Sequence, residues 1–270
     1  MLKQRIITAV VLAVTAGLLL FKASVEVWQW AILIVTSIAA WEWSGFAKLS
    51  SHLAKGAFSL LCVVVAYLAL NTLSIETIAI LTALECLLLL YVVLQYQRSE
   101  AKIAPKSLLA ILAFGLLSVV LFSVAFIRFR EAFSAEVLLL SLMVIWAIDT
   151  GAYFSGRRFG KTKLAVHVSP GKTWEGVWGG VLLAFVVGII GLSWVEPALT
   201  ISILFFATLL SLIALYSVLG DLFESVLKRQ AGLKDSGSIL PGHGGVLDRV
   251  DSLLIAVPML YLLWSFGSSV

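Results

Sequence analysis

Apolar runs long enough to cross a bilayer follow one another along almost the whole chain, separated by short polar segments. A transmembrane helix needs roughly 20 mostly apolar residues. Nine stretches meet this requirement: 6–24, 27–47, 53–73, 75–96, 107–127, 134–156, 175–194, 198–226 and 248–267. The pattern predicts an all-α fold, a polytopic transmembrane helical bundle of about nine spans. The last third of span 8 is polar, so we expect it to protrude into the cytoplasm.

Composition supports burial in lipid. Of the 270 residues, 61% are hydrophobic and 13% are charged, whereas about a quarter of the residues in an average soluble domain are charged. Cys62 and Cys86 both lie in apolar runs, without the spacing of a disulfide or metal site, and we interpret them as packing residues. The polar segment 97–106 divides the chain into an N-terminal set of transmembrane helices (1–106) and a C-terminal transmembrane region with the candidate chemistry (107–270).

Basic residues predict the orientation of the bundle. With nine spans, sixteen of the 19 lysines and arginines lie on the side of the N-terminus, and the other side holds Lys22, Arg128 and Arg130. Cytoplasmic loops are enriched in such residues because cationic loops resist translocation. We therefore expect a multi-pass protein of the cell membrane, with the N-terminus and the basic loops in the cytoplasm and the C-terminus outside. Span 1 resembles a signal peptide, but no clear cleavage site follows it, so we interpret it as a retained helix.

Three aspartates lie at predicted cytoplasmic helix ends in the C-terminal region. Asp221 is in the polar part of span 8, and Asp248 and Asp251 open span 9 on one helix face, three residues apart. Acids at a helix N-terminus also complement the helix dipole, which is the simpler explanation of the pair alone. With a third acid and a basic loop between them, the pattern favours an oxygen-rich site for a hard divalent cation such as Mg²⁺.

Cations and glycines fill the segment between these acids. Glycines let backbone N–H groups approach an anion, and lysine and arginine neutralise phosphate oxygens. The alternative is a flexible basic loop that touches acidic lipids. His243 lacks the partners of a Ser-His-Asp triad or a zinc motif, so a structural role is as good an interpretation as a catalytic one. The cations of this segment are Lys228, Arg229, Lys234 and Arg249.

A second basic loop, 156–176, contains Gly-Lys-Thr twice. Neither copy is a P-loop, because the first glycine of G-x-x-x-x-G-K-[ST] is missing in both and a membrane span, not a strand, precedes them. We instead expect Ser169 to cap a helix that has Pro170 at its first position. Lys172 and Thr173 would then lie on the first turn, where backbone N–H groups favour phosphate.

Two glutamates lie within predicted spans of the N-terminal region. Glu42 is near a span end, where it can reach the headgroups, and Glu85 is near the middle of span 4, where it can be protonated. We interpret both as structural, with a functional role as the alternative.

The segment 225–251 carries a recognisable run of residues. It reads Ser-Val-Leu-Lys-Arg at 225–229, Lys-Asp at 234–235 and Pro-x-His-Gly-Gly-Val-x-Asp-Arg-Val-Asp at 241–251. This run resembles the signature of the phosphatidate cytidylyltransferases, or CDP-diacylglycerol synthases. The segments 149–153 and 169–176 are similar to other stretches of that family. One position departs from it, since the family often has a lysine where this chain has Gly171.

The resemblance implies a reaction of CTP with phosphatidic acid that gives CDP-diacylglycerol and pyrophosphate, with Mg²⁺, on the cytoplasmic side of the membrane. It implies that Asp221, Asp248 and Asp251 are Mg²⁺ ligands, with Asp149 as a weaker candidate. A second cation nearby is also compatible with the resemblance. The expected phosphate-binding residues are Lys172, Lys228, Arg229, Lys234 and Arg249, with Ser169 and Thr173 beside Lys172. No general base is required, because the attacking phosphate is already an anion. His243 is then expected to donate a hydrogen bond to a phosphate or to organise the loop. The expected partners are CTP, phosphatidic acid and a second copy of the chain, with no nucleic acid.

Three other functions are compatible with parts of the pattern. A CTP-dependent lipid kinase, such as a polyprenol kinase, would transfer the γ-phosphate instead. A CDP-alcohol phosphotransferase also clusters aspartates at helix ends, but its D-G-x-x-A-R pattern is missing. A secondary transporter would place paired charges near the bilayer midplane, whereas here the charges crowd the cytoplasmic helix ends.

Overall fold

The structure is a computed structural model that describes residues 2–195, 199 and 201–268. Within these residues it contains nine helices and one short hairpin. The helices are α1 (Leu2–Lys22), α2 (Val25–Phe46), α3 (His52–Thr72), α4 (Ile75–Arg98), α5 (Leu108–Ala132), α6 (Ala135–Phe159), α7 (Trp174–Val195), α8 (Ile203–Ala231) and α9 (Leu247–Gly267). The hairpin strands are β1 (Lys163–Ala165) and β2 (Ser169–Thr173).

The helical bundle predicted from the apolar runs is confirmed. In the described part of the chain, the seven helices α3 to α9 are long and apolar enough to cross a membrane. The apolar part of α1, Ile6–Lys22, is shorter, and α2 is not among the seven. The predicted start of span 8, residue 198, lies outside the described residues. Helix α8 continues to Ala231, beyond the predicted residue 226, as expected for a span with a protruding polar end.

Serine hydroxyls begin six of the helices by accepting the backbone N–H group three residues further on. Such a cap satisfies a donor that has no partner within the helix, and is worth about 1 kcal/mol. These N-cap residues are Ser24, Ser51, Ser74, Ser107, Ser134 and Ser202.

The expectation that Ser169 caps a helix is wrong. Ser169 begins β2, which pairs antiparallel with β1, so Lys172 and Thr173 lie on a strand. An extended Ser169 suits a cap as well as a strand, but here the extended backbone continues and pairs with β1, with Ala165 opposite Ser169 and Lys163 opposite Thr173. Helix α7 begins later, at Trp174, and its cap is Thr173, whose hydroxyl accepts the N–H group of Gly176 at 3.2 Å. A hydroxyl side chain does cap this helix, but it is that of Thr173 and not that of Ser169.

Glycines bring the helices of the C-terminal region close together. A Cβ atom at Gly180 of α7 would lie 2.8 Å from a side-chain carbon of Ile148 on α6. A Cβ atom at Gly220 of α8 would lie 2.8 Å from the carbonyl oxygen of Asp251 on α9. Both distances are shorter than packed atoms allow, so only glycine permits these crossings. The crossing at Gly220 sets Asp221 beside Asp251.

The start of α1, the end of α4, the hairpin and the loop 232–246 lie on one side of the bundle, which we call the site face. The Thr8 hydroxyl donates to the carbonyl oxygen of Pro241 at 3.2 Å, so the start of α1 contacts the loop 232–246. The backbone N–H group of His167 donates to Oε1 of Gln97 at 3.1 Å, so the hairpin contacts the end of α4.

Two of the three cations predicted on the opposite side have structural partners. Arg128 donates to the carbonyl oxygen of Leu70 at 2.6 Å, and Arg130 donates to that of Leu20 at 3.0 Å. These carbonyls lie in the last turns of α3 and α1, where cations complement the helix dipole. Both arginines therefore hold neighbouring helix ends to α5.

Candidate active site

A cavity of about 470 Å³ opens on the site face between α6, α7, α8 and β2. Its polar walls include Asp149, Lys172 and Arg157, and its apolar walls include Val177 and Val218. A cavity lined by both cations and valines suits an anionic group attached to an apolar chain.

Lys172 reaches the acids from the hairpin. Its Nζ atom lies 2.5 Å from Oδ2 of Asp221, and the two side chains are 25% and 31% exposed. Asp149 interacts electrostatically with both members of this pair. We call this part of the site, Asp149, Lys172 and Asp221, the hairpin side. Lys172 interacts with the carboxylates of Asp149 and Asp221 and also lines the cavity. Its ammonium group is therefore accessible to an anion that enters the cavity.

Backbone contacts hold the hairpin in place. The Glu175 carboxylate accepts the N–H groups of Lys161 and Thr162, each at 3.1 Å. Lys163 donates to the carbonyl oxygen of Pro170 across the hairpin at 2.8 Å. Glu175 therefore closes the base of the loop that carries Lys172.

Asp248 has a much denser environment. Its Oδ2 atom accepts the N–H groups of Gly245 and Ser236 at 2.8 and 2.9 Å and lies 2.9 Å from the Ser236 hydroxyl. Its Oδ1 atom accepts from Nζ of Lys228 at 2.9 Å, and the side chain is 7% exposed. Four donors around one buried carboxylate fix its position.

Glu224 is a member of the site that sequence reasoning missed. It is 2% exposed, and its Oε2 atom lies 2.5 Å from Nζ of Lys228, which thereby bridges Glu224 and Asp248. The signal was available, because Glu224 and Lys228 are four residues apart in the polar part of α8. We call Glu224, Lys228, Ser236 and Asp248 the loop side.

Asp251 joins the two sides. Its carboxylate interacts electrostatically with Asp221, Lys172 and Lys228, and also with Glu224. One of its oxygens accepts the N–H group of Ser252 at 2.7 Å. Hence the three predicted aspartates belong to one electrostatic network at the crossing of α8 and α9.

The same acids are the candidate ligands for a metal ion. Among the described residues, no group of three or more His, Cys, Asp or Glu side chains is arranged to hold a metal ion. Lys172 and Lys228 lie between the carboxylates and neutralise part of their charge. The donor chemistry nevertheless fits Mg²⁺, because carboxylate oxygens are its usual protein ligands and it needs only one or two of them. Asp221 and Asp251 fit best, because they have fewer donors than Asp248. Asp221 accepts from Lys172 and, at 3.5 Å, from the Ser225 hydroxyl, and Asp251 accepts from the N–H group of Ser252.

The other predicted residues have varied surroundings. Arg249 donates from Nε and Nη2 to the carbonyl oxygen of His243 at 3.2 and 3.0 Å, so it organises the loop. Nδ1 of His243 is buried and has no hydrogen-bond partner among the described residues. Arg229 and Lys234 are exposed. Thr173 is buried, lines the cavity and caps α7.

Arg157 and Tyr153 line the cavity and were not predicted. Nη1 of Arg157 donates to the Tyr153 hydroxyl at 3.1 Å. Arg157 lies in the last turn of α6, and its one-turn spacing from Tyr153 was the available signal.

Comparison with known proteins gives a consistent picture. The model of the cytidylyltransferase family matches residues 3–266. The phosphatidate cytidylyltransferase of Haemophilus influenzae is 37% identical over 287 residues, which cover 98% of this chain and 99% of that protein. That of Pseudomonas aeruginosa is 39% identical over 275 residues, with 99% and 98% covered. That of Staphylococcus epidermidis is 42% identical over 153 residues, with 56% and 58% covered.

Proposed function

The chain belongs to the cytidylyltransferase family, and we propose that it transfers the cytidylyl group of CTP to phosphatidic acid. A phosphate oxygen of the lipid attacks the α-phosphorus of CTP. The new P–O bond forms as the bond to the β-phosphate oxygen breaks, and pyrophosphate leaves with the electron pair. The products are CDP-diacylglycerol and pyrophosphate.

One observation carries this proposal. Lys172 enters the cavity from the hairpin and pairs with Asp221 of a membrane helix, and Arg157 of α6 lines the same cavity. A lipid phosphate at the bilayer surface and a nucleotide from the cytosol both require cations at this level. Reactions of this type depend mainly on positioning and charge neutralisation.

The residues of the chain have distinct parts in this reaction. Lys172 and Arg157 neutralise phosphate oxygens that enter the cavity, and Lys172 exchanges Asp221 for a phosphate. On the loop side, Glu224 and Ser236 keep Lys228 of α8 and Asp248 of α9 at fixed positions. Arg249 and His243 shape the loop, while the exposed Arg229 and Lys234 attract the nucleotide. Ser169 starts the strand that carries Lys172, and Thr173 fixes where that strand ends.

Mg²⁺ is the proposed cofactor, and Asp221 and Asp251 are its proposed ligands, with Asp149 and Asp248 nearby. The ion supplies charge neutralisation at the reacting phosphates when it is bound. An excess of carboxylates over lysines in the described network supports a cation there.

Labelled CTP tests the proposal. The purified protein is incubated with phosphatidic acid, Mg²⁺ and CTP labelled at either the α- or the γ-phosphorus, and the lipids are then extracted. We expect label in the lipid only from α-labelled CTP. Label in the lipid only from γ-labelled CTP would identify a lipid kinase. No CTP turnover, together with uptake of a labelled solute into proteoliposomes, would identify a transporter.

The proposed location is the bacterial inner membrane, with the site face in the cytoplasm. The relatives from Haemophilus influenzae and Pseudomonas aeruginosa support an inner-membrane protein. After both native cysteines are replaced, Ser238→Cys and Glu131→Cys provide probes on opposite faces. We expect a membrane-impermeant maleimide to label only the first in inside-out vesicles and only the second in intact spheroplasts. The reverse pattern would invert the proposed topology.

We also propose a homodimer, since symmetric pairs are the commonest oligomers. Light scattering of the protein in detergent, corrected for the detergent mass, measures the number of chains. A mass of one chain across the accessible concentration range would contradict a dimer.

A further inference from the structure

Glu42 lies on α2, in the N-terminal region, yet it contacts the loop side of the site. It is 4% exposed. Its Oε1 atom accepts the N–H group of Val246 at 3.1 Å, and its Oε2 atom accepts that of Leu247 at 2.7 Å. The interpretation that Glu42 reaches the headgroups is therefore wrong, because the carboxylate is buried against the start of α9.

These contacts replace a missing helix cap. Helix α9 begins at Leu247, and its N-cap residue, Val246, makes no side-chain cap hydrogen bond. The first N–H groups of a helix have no partner within it, and the positive end of the helix dipole favours a carboxylate. Glu42 supplies that carboxylate from another helix.

Ser236 connects Glu42 to Asp248. Its hydroxyl oxygen lies 3.3 Å from Oε2 of Glu42 and 2.9 Å from Oδ2 of Asp248. A hydroxyl has one proton, so it donates to one of these carboxylates at a time. Both acids thus contact the same serine hydroxyl.

The shape of the loop is fitted to Glu42. A Cβ atom at either Gly237 or Gly245 would overlap the carboxylate of Glu42. Helix α2 is itself fixed, because Nε1 of Trp43 donates to the carbonyl oxygen of Ile111 on α5 at 2.9 Å. Through Glu42, the loop 232–246 is therefore held to α2 and, by way of Trp43, to α5.

We propose that Glu42 is a positioning residue for the transfer reaction, which anchors the loop 232–246 and the start of α9 and so sets the position of Asp248. This inference rests on the function proposed above. It gives the N-terminal region a part in the site besides that of a membrane anchor.

Glu42→Gln tests the proposal, because it keeps the shape but replaces an acceptor oxygen with an NH₂ group that faces backbone donors. Displacement of reacting groups by about 1 Å can reduce turnover by about 10²-fold. We expect kcat to fall by about that factor, while KM for CTP changes by less than about threefold because the hairpin side is intact. Glu42→Asp keeps the charge with a shorter reach, and should recover part of kcat.

Glu85→Gln is the matched control. Glu85 is another buried glutamate of the N-terminal region, 1% exposed on α4, and it lies outside the site. We expect this variant to keep the kcat of the unmodified chain. If both glutamine variants lose the same kcat and the same thermal stability, the role of Glu42 is general packing and the proposal is wrong.

Amide hydrogen exchange separates this inference from the proposed function. In Glu42→Gln, but not in Glu85→Gln, the amides of Val246 and Leu247 should exchange at least tenfold faster, whatever reaction the protein catalyses. Unchanged exchange would refute the anchor. Faster exchange with unchanged kcat would refute its role in the reaction. Absence of cytidylyl transfer by the unmodified chain would overturn both the proposed function and the catalytic part of this inference, and leave only the anchor.

Discussion

Asp221 and Asp248 are the same residue type in one network, yet their surroundings differ sharply: Asp221 lies within α8 and Asp248 in the first turn of α9. Asp221 on the hairpin side makes one short ion pair, with Lys172, beside an open cavity. Asp248 on the loop side is surrounded by donors from Gly245, Ser236 and Lys228. The comparison indicates that several donors hold the loop side in place, whereas Lys172 on the hairpin side lines the open cavity. We propose that Lys172 exchanges Asp221 for a ligand.

The largest effect should come from Asp248→Asn. The new NH₂ group must face either Lys228 or the loop N–H groups, and both are donors. Leaving one partner of a buried ion pair alone costs about 3–5 kcal/mol. We expect a clear drop in thermal stability and loss of nearly all turnover, measured by a melting curve in detergent and by label transfer from CTP. Near-normal turnover would show that Asp248 has no role in catalysis.

Lys172→Met should have the next largest effect and should sharpen the contrast between the two sides. The pair with Asp221 is partly exposed, and exposed pairs contribute about 1 kcal/mol or less to stability. We expect kcat/KM to fall by about 10²-fold or more, as for the loss of a group that stabilises transition-state charge, with the melting temperature almost unchanged.

Lys161→Met is the control for Lys172→Met. Lys161 is an exposed lysine of the same loop, and its backbone N–H group is what binds Glu175. Its side chain can therefore be replaced with little change in kcat/KM. Equal losses in the two variants would mean that the loop needs only a general positive charge.

A matched pair of glycine variants tests the difference in rigidity. In Gly245→Ala the new Cβ atom overlaps Glu42 and Ser236, whereas in Gly171→Ala it meets no atom within 4 Å. We expect the first to lower kcat by about tenfold or more, since the loop must shift, and the second to keep it. Comparable kcat values for both variants would show that the loop tolerates displacement and is no scaffold.

The smallest effect should come from Lys234→Gln. Lys234 is exposed in the loop, so its field is screened within about 10 Å at 0.1 M salt. We expect KM for CTP to rise about twofold to threefold at low salt, and the difference to vanish at high salt. A rise that persists at high salt would indicate direct contact with a phosphate.

Local patterns predicted the helices well, because twenty-residue apolar runs leave few alternatives in a bilayer. They failed at the hairpin, where Ser169 and Thr173 are both acceptable caps, and where the pairing of β2 with β1 leaves Thr173 as the cap of α7. A short exposed loop carries too few apolar residues to show its strands.

The site was predicted in part for a similar reason. Asp221, Asp248, Asp251 and Lys172 belong to segments whose residue types suggest their chemistry. Glu42 could not be found in this way, since its partners Val246 and Leu247 are more than 200 positions away in the chain. Such an anchor is visible only when the packing of α2 against the loop is known.

Amide exchange with and without CTP and Mg²⁺ tests most directly the claim that one side of the site is fixed and the other engages phosphate. In the unliganded protein the amides of 244–248 should already exchange slowly, and those of 161–173 faster. On addition of CTP we predict that exchange slows in 161–173 and stays the same in 244–248. Slowing confined to 244–248, with 161–173 unaffected, would contradict the account.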